Sequence, residues 1–367
     1  MNIFLLAPNY CWHTKDLISL SHFSKEFTYK FLPDTPPFLS RNFFKKYFNN
    51  LNFSYEFFQR IWRLFFCIPW SIYLKIRLLN NDLIHCHGLF ALFIAHLAGI
   101  SNSRIIFTPQ GSDLLILPDQ YFFLRNFLKG KLHKLSFITA DSDLLLRKAV
   151  LICPKLDNKK LKLIQNGIPL ENIQKFITKR NRNHNRQIDI CWIRGLSSIY
   201  QFDYFLNLLE TISKKTNSEL NIAIISAYGN SSIPKRIFEL SNLNIILMPR
   251  LNNKDFLKCL LNTKIVVSIP LSDSSPRSVY ESIALGCKIF VSDLNCFDWL
   301  PKELKSEFII SKKDLPKDSE NIINSVIKFK EFKDLNSLKN KFPYFFKSLD
   351  YNYIAYCYSK IFKNGFK

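Results

Sequence analysis

The stretch 272–286, SDSSPRSVYESIALG, constrains the fold of this chain more than any other segment. It lies between two apolar runs, Ile265-Val266-Val267-Ser268-Ile269-Pro270 and Lys288-Ile289-Phe290-Val291-Ser292-Asp293. Strand, loop, helix and strand in that order make a parallel βαβ crossover. The ends of the helix are legible. Ser275 suits the cap, Pro276 the first helical position and Gly286 the left-handed stop. Two carboxylates flank the helix start: Asp273 in the loop, and Glu281 on the second turn. A loop at a strand's carboxyl end that feeds a helix N-terminus is where open α/β sheets bind phosphorylated ligands. Backbone N–H groups there can hold a diphosphate, and neighbouring carboxylates can accept hydrogen bonds from sugar hydroxyls. An ordinary crossover with a polar loop would use the same residues.

The same alternation runs through most of the chain. Apolar strands are expected at Asn2-Ile3-Phe4-Leu5-Leu6-Ala7, at 83–87, from Ile105, from Phe137, from Lys162, from Ile188, at 220–226 and at 243–248. Several end in polar turns: Gly111-Ser112-Asp113, Asn166-Gly167 and Arg194-Gly195-Leu196. A helix is expected over 200–212, with Phe202, Phe205, Leu206 and Leu209 on one side, and an aromatic helix over 351–362. An arginine at the tip of a first βα turn, such as Arg194, can pair with a diphosphate through two parallel hydrogen bonds.

These segments resemble the family-4 retaining glycosyltransferases of the GT-B fold. That family carries two Glu at the spacing of Asp273 and Glu281, before a small-residue helix ending in Gly. Here Asp273 stands for the first Glu and Glu281 matches the second, and the wording is similar to a branch with Ser-Asp-Gly-Thr-Pro before the helix. Asp82-Leu83-Ile84-His85-Cys86-His87 and Gln110-Gly111-Ser112-Asp113 resemble two N-terminal segments of the family. Many members place His where this chain has Gln110, and that His contacts the donor sugar. Gln cannot carry a proton at neutral pH, so Gln110 is a positioning candidate. Family members read Gly-Arg-Leu and then Lys-Gly near position 194. Here Gly195 follows Arg194, and Tyr200-Gln201 stands near the missing Lys, so Arg277 or Arg250 would have to compensate. Arg250 and Leu251 resemble the turn on which the nucleotide base lies. The loop 9–13 lacks the family's glycines, which leaves side chains such as His13 and Lys15 to hold an acceptor.

The resemblance implies an α/β protein of two Rossmann-like domains whose parallel sheets face a central cleft. The N-terminal, acceptor-binding domain is expected over 1–177, with a C-terminal segment 345–367 crossing back onto it, and the nucleotide-sugar domain over 188–344. The polar, basic stretch 178–187 reads as the linker, or else as a long surface loop inside one domain. The implied reaction is transfer of a sugar from a UDP- or GDP-linked donor to a glycan or lipid-linked acceptor hydroxyl, in surface polysaccharide or lipopolysaccharide synthesis. The implied catalytic residues are Asp273, Glu281 and Gln110. Arg194, Gly195, Arg250, Leu251, Ser274, Ser275, Arg277 and Glu281 are the implied donor-binding residues. Fixed cations and a helix N-terminus would stabilise the leaving diphosphate, so neither a metal nor a further cofactor is expected. The rival readings are another GT-B enzyme such as a nucleotide-sugar 2-epimerase, or a non-catalytic basic protein on a membrane surface or nucleic acid.

Composition bounds the rest. A chain of 367 residues with 47% hydrophobic residues can bury two sizeable cores. Nine Cys without a CxxC pair point to a reducing cytoplasm. His85-Cys86-His87 alone is too short for a metal site. The formal charge of +22 suits an anionic membrane surface better than nucleic acid, for which no recognition motif appears. Segment 41–77 holds seven Lys or Arg against one acidic residue, Glu56, around an aromatic centre. That mixture suits a helix at headgroup level and equally suits packing against a sheet. The uncharged stretch 83–103 reads as a buried strand and core helix rather than a membrane span. The expected location is the cytoplasm, peripheral on the inner face of the membrane.

Overall fold

A computed structural model describes residues 1–8, 12–36, 55–78, 82–179, 185–225, 233–329 and 335–365. The loop 9–11 and the first part of the basic segment, 41–54, lie outside the described residues. Strands and helices alternate, and every strand pairing is parallel.

The chain divides into two compact units, Met1–Gly167 with Tyr351–Lys367, and Ile168–Asp350. The first holds a six-stranded sheet in the order β2-β1-β3-β4-β5-β6. Its strands are β1 (Asn2–Ala7), β2 (Thr28–Pro33), β3 (Leu83–His87), β4 (Ile105–Thr108), β5 (Phe137–Ala140) and β6 (Leu161–Leu163). The second holds another, in the order β12-β11-β10-β7-β8-β9. Its strands are β7 (Ile188–Trp192), β8 (Leu220–Ile225), β9 (Leu243–Met248), β10 (Thr263–Ser268), β11 (Lys288–Val291) and β12 (Ile309–Ile310).

Each sheet is covered on both faces, which is why its central strands read as unbroken apolar runs. In the second unit Cys191, Val266 and Val291 join one core cluster, while their chain neighbours Ile190, Trp192, Val267 and Phe290 join the other. Successive side chains point to opposite faces, so one strand serves two cores. Asp189 interrupts the β7 run at little cost. Its carboxylate pairs with Lys264 at 2.7 Å and accepts the Asn221 N–H at 2.8 Å.

The unit boundaries differ from the sequence expectation of 177, 188 and 345. The helix Leu170–Lys179 belongs to the second unit, because Leu170 and Ile173 enter its core and Phe176 and Ile177 pack against it. Arg186 is also fixed inside that unit. Its Nη1 donates to the carbonyls of Thr263 (2.5 Å) and Leu260 (3.3 Å), and its Nη2 to that of Leu285 (2.7 Å). The described residues on both sides of that stretch, 178–179 and 185–187, therefore belong to one unit. The helix Pro343–Leu349 likewise buries Phe345, Phe346 and Leu349 in the second core. Only the last helix, Tyr351–Gly365, completes the first unit, with Ile354, Tyr358, Ile361 and Phe362 packed among Ile3, Leu5, Phe27 and Tyr29. The chain leaves the first unit at Gly167, where any Cβ would overlap the Tyr351 ring.

Candidate functional site

In the second sheet the chain runs from β7 outward through β8 and β9, then crosses to the other side of β7 to lay down β10, β11 and β12. The connections leaving β7 and β10 therefore diverge. A sheet of this order opens a crevice at the carboxyl ends of those two neighbouring strands. The loops that enter it carry most of the sequence-derived candidates.

Arg194 stands just past the end of β7. The strand end is held firmly beneath it: Trp192 is fully buried and stacks on Phe205 with ring centroids 4.7 Å apart. The Arg194 guanidinium is fixed at two points. Its Nε donates to Ser268 Oγ at 2.7 Å, at the end of β10, and its Nη2 pairs with Asp273 Oδ2 at 2.7 Å. The Tyr200 ring lies against it, 5.9 Å from the guanidinium carbon to the centroid. Two further bonds stitch the loops together. Leu271 N donates to the Ile199 carbonyl at 2.8 Å, and Gln201 Nε2 donates to the Ile269 carbonyl at 2.6 Å. Gln201 adopts φ +58°, a left-handed conformation that favours glycine, and its side-chain bond offsets that strain.

The helix begins at Arg277, one residue later than Pro276 at the first helical position would give, and closes through Gly286 at φ +72°. Val279, Tyr280 and Ile283 bury its inner face, and Trp299 Nε1 donates to the Tyr280 hydroxyl at 3.1 Å. Its carboxyl end meets the Arg186 guanidinium at Leu285, a favourable place for a cation. Glu281 is buried and pairs with Arg277 Nε at 3.0 Å. A buried carboxylate needs such a partner, because desolvation alone would disfavour its charge. Ser274 and Ser275 fill the loop between the two ion pairs, Ser274 N donating to Asp273 Oδ1 at 2.8 Å. Gly195 is buried behind Arg194.

Arg194, Gly195, Asp273, Ser274, Ser275, Arg277 and Glu281 are thus gathered on two adjoining loops and one helix start. Arg250 and Leu251 are not part of that group. They follow β9, at the sheet edge, where Arg250 is exposed and Leu251 lines a cavity of about 590 Å³ with Ile246, Met248 and Cys259. Gln110 belongs to the first unit. It caps the short helix Gly111–Leu115, and its N–H donates to Asp113 Oδ2 at 2.8 Å. The same carboxylate oxygen accepts the Leu89 N–H at 2.9 Å. Lys15 lies exposed on the helix Trp12–Leu20. No cluster of three or more His, Cys, Asp or Glu suited to a metal occurs among the described residues.

The first unit holds a different kind of polar group, inside its sheet. His85 Nδ1 meets the Tyr29 hydroxyl at 2.7 Å, and Nε2 meets Thr108 Oγ1 at 2.6 Å, which in turn bonds Thr139. Burial holds the His85 pKa down at about 3 and pushes Tyr358, which covers the group, up to about 12. His85 is therefore a neutral structural histidine.

Sequence reasoning missed Ser268 and Arg186, and noted Gln201 only as standing near the absent Lys. Ser268 left a signal, as the polar residue in the apolar run 265–269. Arg186 left none, since a cage of carbonyls gives it its role, and the tie that Gln201 makes to the loop after β10 was not legible from its position.

No family model matches the chain, and no curated protein matches it. Solved structures do. A trehalose-6-phosphate protein from E. coli bound with UDP-2-fluoro glucose shares 13% identity at a TM-score of 0.66, over 99% of each chain. The N-terminal domain of Candida albicans trehalose-6-phosphate phosphatase shares 13% at 0.67, over 99% of this chain and 97% of that one. A UDP-forming trehalose-phosphate synthase from Burkholderia xenovorans shares 12% at 0.65, over 99% and 98%. Such likeness carries the fold: two parallel-sheet α/β domains of the GT-B class.

Proposed function

We propose that this protein is a retaining glycosyltransferase that moves a sugar from a nucleoside diphosphate-sugar to an acceptor hydroxyl. The observation that carries the reading is the convergence of Arg194, Arg277, Asp273 and Glu281 at the carboxyl ends of β7 and β10. Structural neighbours include one bound with UDP-2-fluoro glucose and one described by enzymatic glycosyltransfer with retention.

In this reading the Arg194 guanidinium holds the diphosphate, and Glu281 accepts hydrogen bonds from the nucleotide ribose. As the C1–O bond to phosphate breaks, negative charge grows on the leaving diphosphate, where a fixed cation lowers the barrier most. The acceptor oxygen bonds to C1 on the same face, and its proton passes to the departing phosphate oxygen. Asp273 and Glu281 share one loop and helix, so they do not flank a donor from opposite sides as a double displacement would require.

The finer reading is a family-4-like enzyme acting on a glycan or lipid-linked acceptor in surface polysaccharide or lipopolysaccharide synthesis, at the inner face of a membrane. The helix Tyr55–Arg77 supports the membrane part. Leu74 and Leu78 enter the core, while Phe65, Ile68, Ile72 and Ile76 form an exposed apolar stripe beside exposed Lys75 and Arg77. No described helix is long and apolar enough to cross a membrane.

The test is a panel of UDP-, GDP- and ADP-sugars offered to the purified protein with glycan, lipid-linked and sugar-phosphate acceptors. A transferase releases nucleoside diphosphate only when an acceptor is present. Release without acceptor would favour the epimerase reading. If the protein neither binds any member of the panel nor releases nucleoside diphosphate from it, the site reading is refuted.

A further inference from the structure

We infer that Asp273 acts on the donor through Arg194, as a positioning residue for the diphosphate, and that Ser268 is its partner in that task. This rests on the proposed nucleotide-sugar site and changes the role of one of its residues. A carboxylate at this point invites the assignment of a direct sugar contact. The geometry points elsewhere. Both Asp273 oxygens are engaged: Oδ2 by Arg194 Nη2 at 2.7 Å, Oδ1 by the Ser274 N–H at 2.8 Å. The ion-paired side chains are only 14% and 17% exposed, so solvent screens the pair weakly.

From the other side, Ser268 Oγ receives Arg194 Nε at 2.7 Å, and Ser268 is itself buried at the end of β10. Two acceptors on two different elements therefore fix a planar group that has five N–H donors. Nη1 and the second hydrogen of Nη2 are bonded to none of the described residues. Those are the donors that suit a phosphate oxygen pair. An arginine left to itself would lose much rotamer freedom on binding; here that loss is met on folding.

Two effects oppose each other when Asp273 is removed. The site loses a negative charge that repels a diphosphate, and Arg194 loses its orientation. At 2.7 Å the carboxylate is largely neutralised by the arginine it holds, so orientation should prevail. The distinguishing consequence is that Asp273 governs the affinity for bare nucleoside diphosphates as much as for nucleotide-sugars. A direct sugar ligand would govern only the latter.

The experiment is calorimetric titration of the full chain with UDP, GDP and ADP and with the sugar-bearing form of whichever binds. Asp273→Ala and Ser268→Ala should each weaken the bare diphosphate about ten-fold, the scale of one charge-assisted hydrogen bond. The nucleotide-sugar should weaken by the same factor. Asp273→Asn, which keeps an oxygen for Nη2, should recover most of the loss. A bare-diphosphate affinity that is unchanged or tighter in Asp273→Ala, or an Asp273→Asn variant no better than the alanine, overturns the inference while leaving the site reading intact. Should Asp273→Ala fail to fold, Ser268→Ala is judged by the same criterion. Absence of binding by the unsubstituted protein overturns both.

Discussion

The carboxyl ends of the two sheets are built on similar crossovers and finished with different chemistry. In the first unit the strand order reverses between β1 and β3, and in the second between β7 and β10. A carboxylate serves each sheet there: Asp273 from the loop that follows β10, and Asp113 from the helix that follows β4, next to β3, whose Oδ2 reaches the N–H of Leu89 just past β3. Asp113 of the first unit spends its acceptor capacity on backbone, taking the N–H groups of Leu89 and Gln110. The donor at the start of the helix Leu89–Leu97 is thereby satisfied from within. Asp273 of the second unit takes an arginine instead, and Glu281 takes another. Among the described residues, the same topology thus yields one carboxylate that accepts from backbone and two that hold oriented cations. What distinguishes them is the partner of each carboxylate, which a sheet diagram does not record.

The widest difference between the two ends should appear on removing Arg194. Arg194→Ala is expected to weaken nucleoside diphosphate binding by about 100-fold or more, since each lost hydrogen bond to a charged group is worth about 1.5–3 kcal/mol. Calorimetry reads this directly, and an unchanged affinity would break the comparison.

The matching change in the first unit is Asp113→Ala. It should lower stability by about 2–3 kcal/mol, through one buried and one part-buried N–H group left without their acceptor, and leave nucleotide affinity where it was. Denaturant midpoints and the same titrations separate the two effects.

Acid should then find the first unit before the second. His85 has a pKa of about 3 in the folded chain and about 6.5 unfolded. The unfolded state therefore binds the extra proton. The stability His85 contributes is complete above pH 6.5 and is lost as pH falls toward 3, at up to about 1.4 kcal/mol per pH unit. Hydrogen exchange resolved by unit would show it, and His85→Gln should flatten the slope. An equal slope in that variant would assign the acid sensitivity elsewhere.

The smallest effect is expected at Gln201. Gln201→Gly relieves a left-handed residue by about 1 kcal/mol and forfeits a hydrogen bond of similar worth, so the melting temperature should barely move. Nucleotide affinity should still fall a few-fold, because the loops after β7 and β10 lose one of their ties.

Much of this was legible in the chain itself. Parallel strands buried on both faces leave apolar runs, and β3 is legible from one residue for residue, while β9, half-exposed at a sheet edge, is legible because its own residues are still mostly apolar. β2 was missed because Thr28-Tyr29-Lys30 alternates between exposed and buried and breaks the apolar run that a strand leaves elsewhere. The change of unit at Gly167 was missed because composition does not mark it. It shows only in the packing: Gly167 lies against Tyr351 of the first unit, while Leu170 and Ile173 enter the core of the second. The candidate site was legible as a set of residue types. Its wiring was not, since an Arg and an Asp in one crevice do not say whether they face a ligand or each other.

The return of Tyr351–Gly365 to the first unit has a consequence for how the protein is made. Synthesis runs from the N-terminus, and domains tend to condense as they emerge. The second unit has all its residues by Asp350, whereas the first also needs the helix Tyr351–Gly365, made later. Until then Ile3, Leu5, Phe27 and Tyr29 lack the side chains of Ile354, Tyr358 and Phe362 that cover them. The half of the protein that is translated first is therefore the half that finishes last, and its bare sheet face is the surface a chaperone would meet on the nascent chain.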